Sequence, residues 1–152
     1  MSEMSLRQAQ ILDQVALLAL VQEYYSFEDI HISLKTTSLA LGQLLSSPAL
    51  GNAFFIEQDK EIAGYVIMTN GFSLEYGGVY QFIDELFIRE PFRHQGLGTK
   101  ALNHLEEWSF QNGAASIHLE VERNNTRAQA FYTALGYRDE GRYLWNKRLG
   151  PQ

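Results

Sequence analysis

Three stretches of this chain hold residue types that can do chemistry. The first is Ile88-Arg89-Glu90-Pro91-Phe92-Arg93-His94-Gln95-Gly96-Leu97-Gly98-Thr99. Pro91 ends an apolar strand, an arginine and two glycines spaced by one residue follow, and a helix begins inside the glycine pair. Such a junction points free backbone N–H groups at one spot, on the positive end of a helix dipole. Glycine lets an anion approach the backbone closely. A phosphate or pyrophosphate is the natural ligand, and the bland alternative is a turn that binds nothing. The loop lacks the Lys-Ser/Thr ending of a P-loop and the three-glycine spacing of a dinucleotide fold. The second stretch is Phe82-Ile83-Asp84-Glu85-Leu86-Phe87-Ile88, an apolar strand holding two adjacent acids. On a regular strand these acids point to opposite faces, so at most one reaches a given centre unless a bulge intervenes. Each acid is a candidate for binding a cation or taking up a proton, or for a plain ion pair with a neighbouring arginine. The third runs from Asn125 to Tyr137, with Asn125 as a turn or N-cap residue and Tyr132 as a packing aromatic or phenol donor.

Together these motifs resemble the GNAT superfamily of acyl-CoA-dependent N-acetyltransferases. Arg93, Gly96 and Gly98 match that family's Arg/Gln-x-x-Gly-x-Gly/Ala junction, and Asn125-Thr126-Arg127-Ala128-Gln129-Ala130-Phe131-Tyr132-Thr133-Ala134-Leu135-Gly136-Tyr137 looks like its Asn-x-x-Ala-x-x-aromatic-Tyr-x-x-x-Gly-aromatic helix. The resemblance covers about Ala53 to Leu149. It implies acetyl-CoA as co-substrate, with the pyrophosphate held by the backbone of His94, Gln95, Gly96, Leu97, Gly98 and Thr99 beside Arg93. It also implies that Leu86, Phe87 and Ile88 meet the pantetheine and acetyl oxygen through their backbone, that Asn125 contacts the pantetheine arm, and that Tyr132 lies near the thioester sulfur. Tyr132 is then the general acid, since a phenol with a pKa near 10 donates to a thiolate while staying protonated at neutral pH. Asp84 and Glu85 are the candidates for carboxylate-assisted deprotonation of the amine. The reaction expected is direct attack of a primary amine on the thioester. A non-catalytic acyl-CoA-binding sensor or interaction module is the alternative, although such a protein needs neither the acid pair nor Tyr132.

These motifs must be held by a scaffold. Ser5 to Ala9 reads as a short strand. Asp13 reads as the N-cap of a helix to about Tyr25, with Ile11, Leu12, Val15, Ala16, Leu17, Leu18 and Leu20 on its apolar face. Thr37 to Leu45 reads as a second helix. Ala53 to Glu57 and Ile62 to Thr69 form a hairpin through the polar turn at Gln58–Glu61. Asn70-Gly71 and Gly77-Gly78 bracket a loop, and Val79 to Ile88 is the next strand. Helix Gly96 to Phe110, strand Ser116 to Val121, helix Thr126 to Leu135 and strand Arg142 to Leu149 complete the order. The fold class is α/β, a mixed and mostly antiparallel sheet flanked by helices, in one domain over residues 1–152.

Composition narrows the partners. Net charge is −6, which argues against nucleic acid and suits a cationic acceptor. Absence of cysteine excludes disulfides and thiolate chemistry, and the histidines lack metal-ligand spacing, so no metal is assigned. No signal-peptide pattern opens the chain and no apolar run spans a bilayer, which implies a soluble cytoplasmic protein. Tyr25, Phe27, Glu28 and Tyr76, with Asp84, are candidates for the acceptor pocket, because aromatics with carboxylates suit an ammonium group. A polyamine, an aminoglycoside, a basic amino acid or a Lys-bearing peptide would fit. Tyr143, Trp145 and Leu149 alternate near the C-terminus and make a homodimer plausible.

Overall fold

The two-residue connection Asp59-Lys60 sets the register of the first hairpin. Both residues have positive φ, 51° and 70°, the twist that a tight turn between antiparallel strands requires. Asp59 is anchored from outside the hairpin, its N–H donating to the Glu3 carbonyl at 2.9 Å and its Oδ1 accepting the Glu3 N–H at 2.8 Å. The turn joins β2 (Gly51–Gln58) to β3 (Glu61–Ser73), and β1 (Met4–Gln8) pairs antiparallel with β2 along its outer edge. The structure is a computed structural model that describes residues 2–151.

β3 runs past Thr69 and pairs with β4 (Gly78–Ile88) as one long hairpin. Asn70-Gly71 therefore lies inside a strand instead of opening a loop. Gly71 faces Tyr80 across the ladder, and a Cβ there would fall 2.2 Å from the tyrosine ring. The glycine makes room for an aromatic ring laid over the neighbouring strand. Helix α3 (Leu97–Gln111) then carries the chain to β5 (Ile117–Leu119), which pairs parallel with β4. The sheet has the order β1-β2-β3-β4-β5 and is mixed and mostly antiparallel, as the sequence leads one to expect.

One face of this sheet receives α1 (Gln14–Phe27) and α2 (Leu34–Ser46): Leu17, Leu20 and Val21 of α1 and Leu41 of α2 cluster with Phe55, Tyr65, Ile67 and Phe87. Alternate residues point the other way, and there Phe54 meets Trp108 of α3 edge-on at 5.1 Å. Leu97, Ala101, Leu102 and Leu105 are buried along α3.

Three further expectations need correction. The apolar stripe of α1 is rotated from the one expected: Ile11 sits in a 3-10 turn before the helix, and Leu12 and Val15 are 92% and 83% exposed. Asp13 does stand at the N-cap position, but its carboxylate does not cap α1. It accepts the Gln10 N–H at 2.8 Å and pairs with Arg7 at 3.3 Å, closing the preceding turn. The final strand is absent: residues 142–149 hold no regular structure, and Trp145 and Leu149 are almost wholly exposed. An alternating pattern becomes a strand only against a paired edge.

The chain divides into two compact units, Met1–Glu120 and Val121–Gln152. In the second, α4 (Thr126–Ala134) starts at Asn125, whose Oδ1 accepts the Ala128 N–H at 3.1 Å. Gln129 ties the incoming loop to this helix by donating to the Glu122 and Arg123 carbonyls. No helix among the described residues is long and apolar enough to cross a membrane.

Candidate active site

β4 changes character half-way along. Gln81, Phe82 and Ile83 pair with Ile117, His118 and Leu119 of β5. Beyond Ile83 that ladder stops, so among the described residues Glu85 to Ile88 are paired with β3 alone. Arg89 N–H donates to the Ala63 carbonyl at 2.8 Å. By the alternation of an antiparallel ladder, Phe87 also turns its backbone toward β3, and Leu86 and Ile88 turn theirs to the open edge. The three residues expected to contact a pantetheine arm thus differ: Leu86 and Ile88 present main-chain groups outward, and Phe87 is buried in the core.

At the same point the β3–β4 register slips. Ile67 pairs with Glu85 and Met68 with Ile83, which leaves Asp84 as the extra residue of a β-bulge. Strict alternation is broken where the two acids sit. Glu85 lies on the α1 face, where its Oε2 accepts the Tyr25 hydroxyl at 2.7 Å and its Oε1 accepts the Tyr65 hydroxyl at 2.7 Å. Desolvation pushes the Glu85 carboxyl above its ordinary value, the two phenols pull it back, and the Asp84 charge pushes it up again. The same acids act on Tyr25: burial first, then Glu85, then Asp84 raise its phenol. Both carboxylates therefore act on one hydroxyl, although they are adjacent in a strand. Asp84 is exposed, and the strands around it still desolvate its carboxyl enough to raise it.

The loop after β4 is shaped by its backbone. Pro91 lies in a 3-10 turn, His94 has φ 61°, and Gly96 has φ 75° at the N-cap of α3. The first bond within α3 runs from Lys100 N–H to the Gly96 carbonyl, 3.1 Å. The N–H groups of Leu97, Gly98 and Thr99 are left without helical acceptors. A Cβ at Gly96 would meet no atom within 4 Å, but its φ of 75° disfavours any side chain there. Gln95 folds back on the loop, donating to the Pro91 carbonyl at 3.3 Å. Arg93 also turns inward: its Nε donates to the Ile88 carbonyl at 2.9 Å, and its guanidinium lies 4.2 Å from the centre of the Phe27 ring. The Leu97, Gly98 and Thr99 N–H groups suit an anion better than Arg93 does, whose side chain is engaged by the Ile88 carbonyl and the Phe27 ring.

The other sequence candidates fall in separate places. Tyr25 and Phe27 both lie in the last turn of α1, one bonded to Glu85 and the other under Arg93, and Glu28 caps that helix. Tyr76 sits at the tip of the β3–β4 hairpin, 4.4 Å from the ring centre of His118. Seven residues of β4 separate that tip from Glu85, roughly 23 Å of strand. In the second unit, Asn125 serves as the N-cap of α4, while Tyr132 is half-buried against Tyr137 at 5.7 Å, with its phenol raised by desolvation.

Tyr65 was missed by sequence reasoning. It is fully buried, and the signal was present. A carboxylate in an apolar strand and a phenol within the apolar run of the neighbouring strand both need partners once buried.

The family model described as the acetyltransferase (GNAT) family matches residues 15–137. An uncharacterized N-acetyltransferase of Bacillus subtilis, YhfO, is 25% identical over 137 residues, covering 90% of this chain and 91% of the relative. A thialysine N-epsilon-acetyltransferase of Bos taurus is 23% identical over 154 residues, covering 91% of this chain and 86% of the relative. Among solved structures, an integron cassette protein from the mobile metagenome of Cole Harbour Salt Marsh superposes with a TM-score of 0.84 at 31% identity, covering 97% of this chain and 91% of the other.

Proposed function

Because the chain belongs to the acetyltransferase (GNAT) family, whose members are acyl-CoA-dependent N-acetyltransferases, we propose that it moves the acetyl group of acetyl-CoA to a primary amine at the bulge of β4. The family match runs across the boundary between the units, which supports treating them as one enzyme. Acetyl-CoA supplies the activated acetyl group. The Leu97, Gly98 and Thr99 N–H groups would hold its pyrophosphate, and the Leu86 and Ile88 backbone would hold its arm along the open edge of β4.

The observation that carries the acceptor chemistry is the bulge. It takes Asp84 out of the ladder and leaves two carboxylates with different surroundings. Asp84, exposed, receives the acceptor in its ammonium form. Glu85, desolvated and raised, is a stronger base than an ordinary carboxylate and takes the ammonium proton, directly or through a water. The freed nitrogen lone pair attacks the thioester carbonyl carbon. The departing thiolate takes its proton from Tyr132, whose raised phenol remains protonated at neutral pH, and the second proton that the nitrogen loses as the amide forms restores that phenol. The acidic balance of the chain and the aromatics of α1 favour a cationic small molecule or a lysine side chain, and the relative acting on thialysine supports that class.

A thiol-release assay with acetyl-CoA and a panel of spermidine, kanamycin, L-lysine, thialysine and a Lys-bearing peptide tests this. Release above the amine-free rate with at least one acceptor is expected. Acetyl-CoA binding without any amine-dependent release would make the chain a sensor.

A further inference from the structure

We infer that Tyr25 and Tyr65 are positioning residues for the reacting carboxylate: each hydroxyl holds one oxygen of Glu85, from α1 and from β3, and together they fix its rotamer and the pH at which it is charged. This rests on the reading of Glu85 as the base, and it adds two residues to which that reading gives no role.

The geometry is symmetric in one respect and unequal in another. Both contacts are 2.7 Å, to different oxygens of one carboxylate, the length of a strong bond from a hydroxyl to an anion. Their supports differ. Tyr65 comes from the middle of a fully paired strand and has no exposed surface. It cannot turn away without leaving its hydroxyl unpaired in the core. Tyr25 comes from the last turn of α1, two residues before Phe27, which carries the Arg93 guanidinium on its ring. One helical turn thus touches the base through Tyr25 and the cofactor loop through Phe27.

The groups facing Glu85 can be named. Tyr25, with Tyr24 beside it, comes from α1, Tyr65 from β3 and Asp84 from β4. Arg93 lies 5.8 Å from the Phe87 ring and donates its Nε to the Ile88 carbonyl. Against burial and a like charge, the two phenols are the groups that favour the charged carboxylate. Without them Glu85 would hold its proton to higher pH, and its free rotamers would multiply.

The test needs no acceptor. Protein labelled with carbon-13 at the glutamate carboxyl carbons is titrated by NMR, with the Glu85 resonance assigned by its loss in Glu85→Gln. The Glu85 midpoint should move to higher pH in Tyr25→Phe, which keeps the ring and removes only the hydroxyl. It should move in the same direction in Tyr65→Phe. An unchanged midpoint in folded Tyr25→Phe overturns the clamp, because a ring that merely packs would leave it unmoved. Tyr25 lies near the surface end of its helix, so this variant carries the test even if Tyr65→Phe fails to fold. Thiol release by Glu85→Gln tests the underlying reading separately. Full activity there removes Glu85 as base, whatever the titration of the tyrosine variants shows.

Discussion

The two halves of β4 are one continuous strand with opposite roles. From Gly78 to Ile83 it is held by β3 and then by β5, and its aromatic side chains pack: Tyr80 stacks on His118 at 4.2 Å, over Gly71. From Asp84 to Ile88 it has β3 alone, a bulge, and two carboxylates. Both halves are rich in apolar and aromatic residues, so apart from the two acids residue type does not distinguish them. Their neighbours do. A parallel ladder that ends after three pairs leaves a main-chain edge free in the middle of a sheet, where an edge is normally paired or covered.

The largest expected effect falls on the distal half. Glu85→Gln should lower kcat/KM by about 10²- to 10³-fold if the carboxylate takes the amine proton, measured with the best acceptor of the panel, while circular dichroism remains that of the folded protein. A loss below tenfold would place the base elsewhere.

Tyr132→Phe should come next, lowering kcat by about a hundredfold with little change in acetyl-CoA affinity. Calorimetric affinity together with turnover reads the split, and equal kinetics would remove the phenol from the reaction.

Gly64 and Gly71 compare the halves directly. A Cβ at Gly64 would fall 2.0 Å from the Phe87 carbonyl oxygen, a backbone atom of the distal half. At Gly71 the obstacle is the tip of the Tyr80 side chain, which can swing. Gly64→Ala should therefore cost about 2–3 kcal/mol in urea unfolding and displace the reacting segment. Gly71→Ala should cost about 1 kcal/mol and leave turnover within a few-fold. Equal costs would mean that the two halves are equally rigid.

The smallest effect is a displacement along the pH axis. A protonated carboxylate cannot accept a proton, so activity is lost as pH falls through the Glu85 pKa. Because that pKa is raised by desolvation, the acid limb of kcat/KM should lie above the ordinary glutamate range. A limb at an unperturbed glutamate value would show that Glu85 is solvated when it reacts.

Much of this was legible in the residues, because backbone-driven features leave local marks. Pro91, Gly96 and Gly98 announce a strand-to-helix junction, and the turn at Asp59-Lys60 lies where the polar break predicts. The apolar face of α1 was read too close to the N-terminus because Leu12 and Val15 fit the helical period. Only the placement of the helix against Tyr65 and Phe87 shows that Leu17, Leu20 and Val21 are the buried set. The bulge was not legible either, since register is a property of two strands and no pattern within β4 reveals which residue β3 will skip. The link from Tyr25 to Glu85 spans sixty residues and depends on both elements being in place.

The outermost strand imposes a topological condition on this arrangement. Arg7 of β1 binds Glu57 of β2 at 2.8 Å, fifty residues along the chain, and everything between them, α1 and α2 included, is enclosed in that ring. Closing so long a loop is entropically unfavourable until hydrophobic contacts compensate for it. Docking of the two helices and pairing of β1 should then be a single late event in folding. That ring encloses the helix bearing Tyr25, so an edge strand far from Glu85 in sequence closes the loop that supplies one of its two hydroxyl partners.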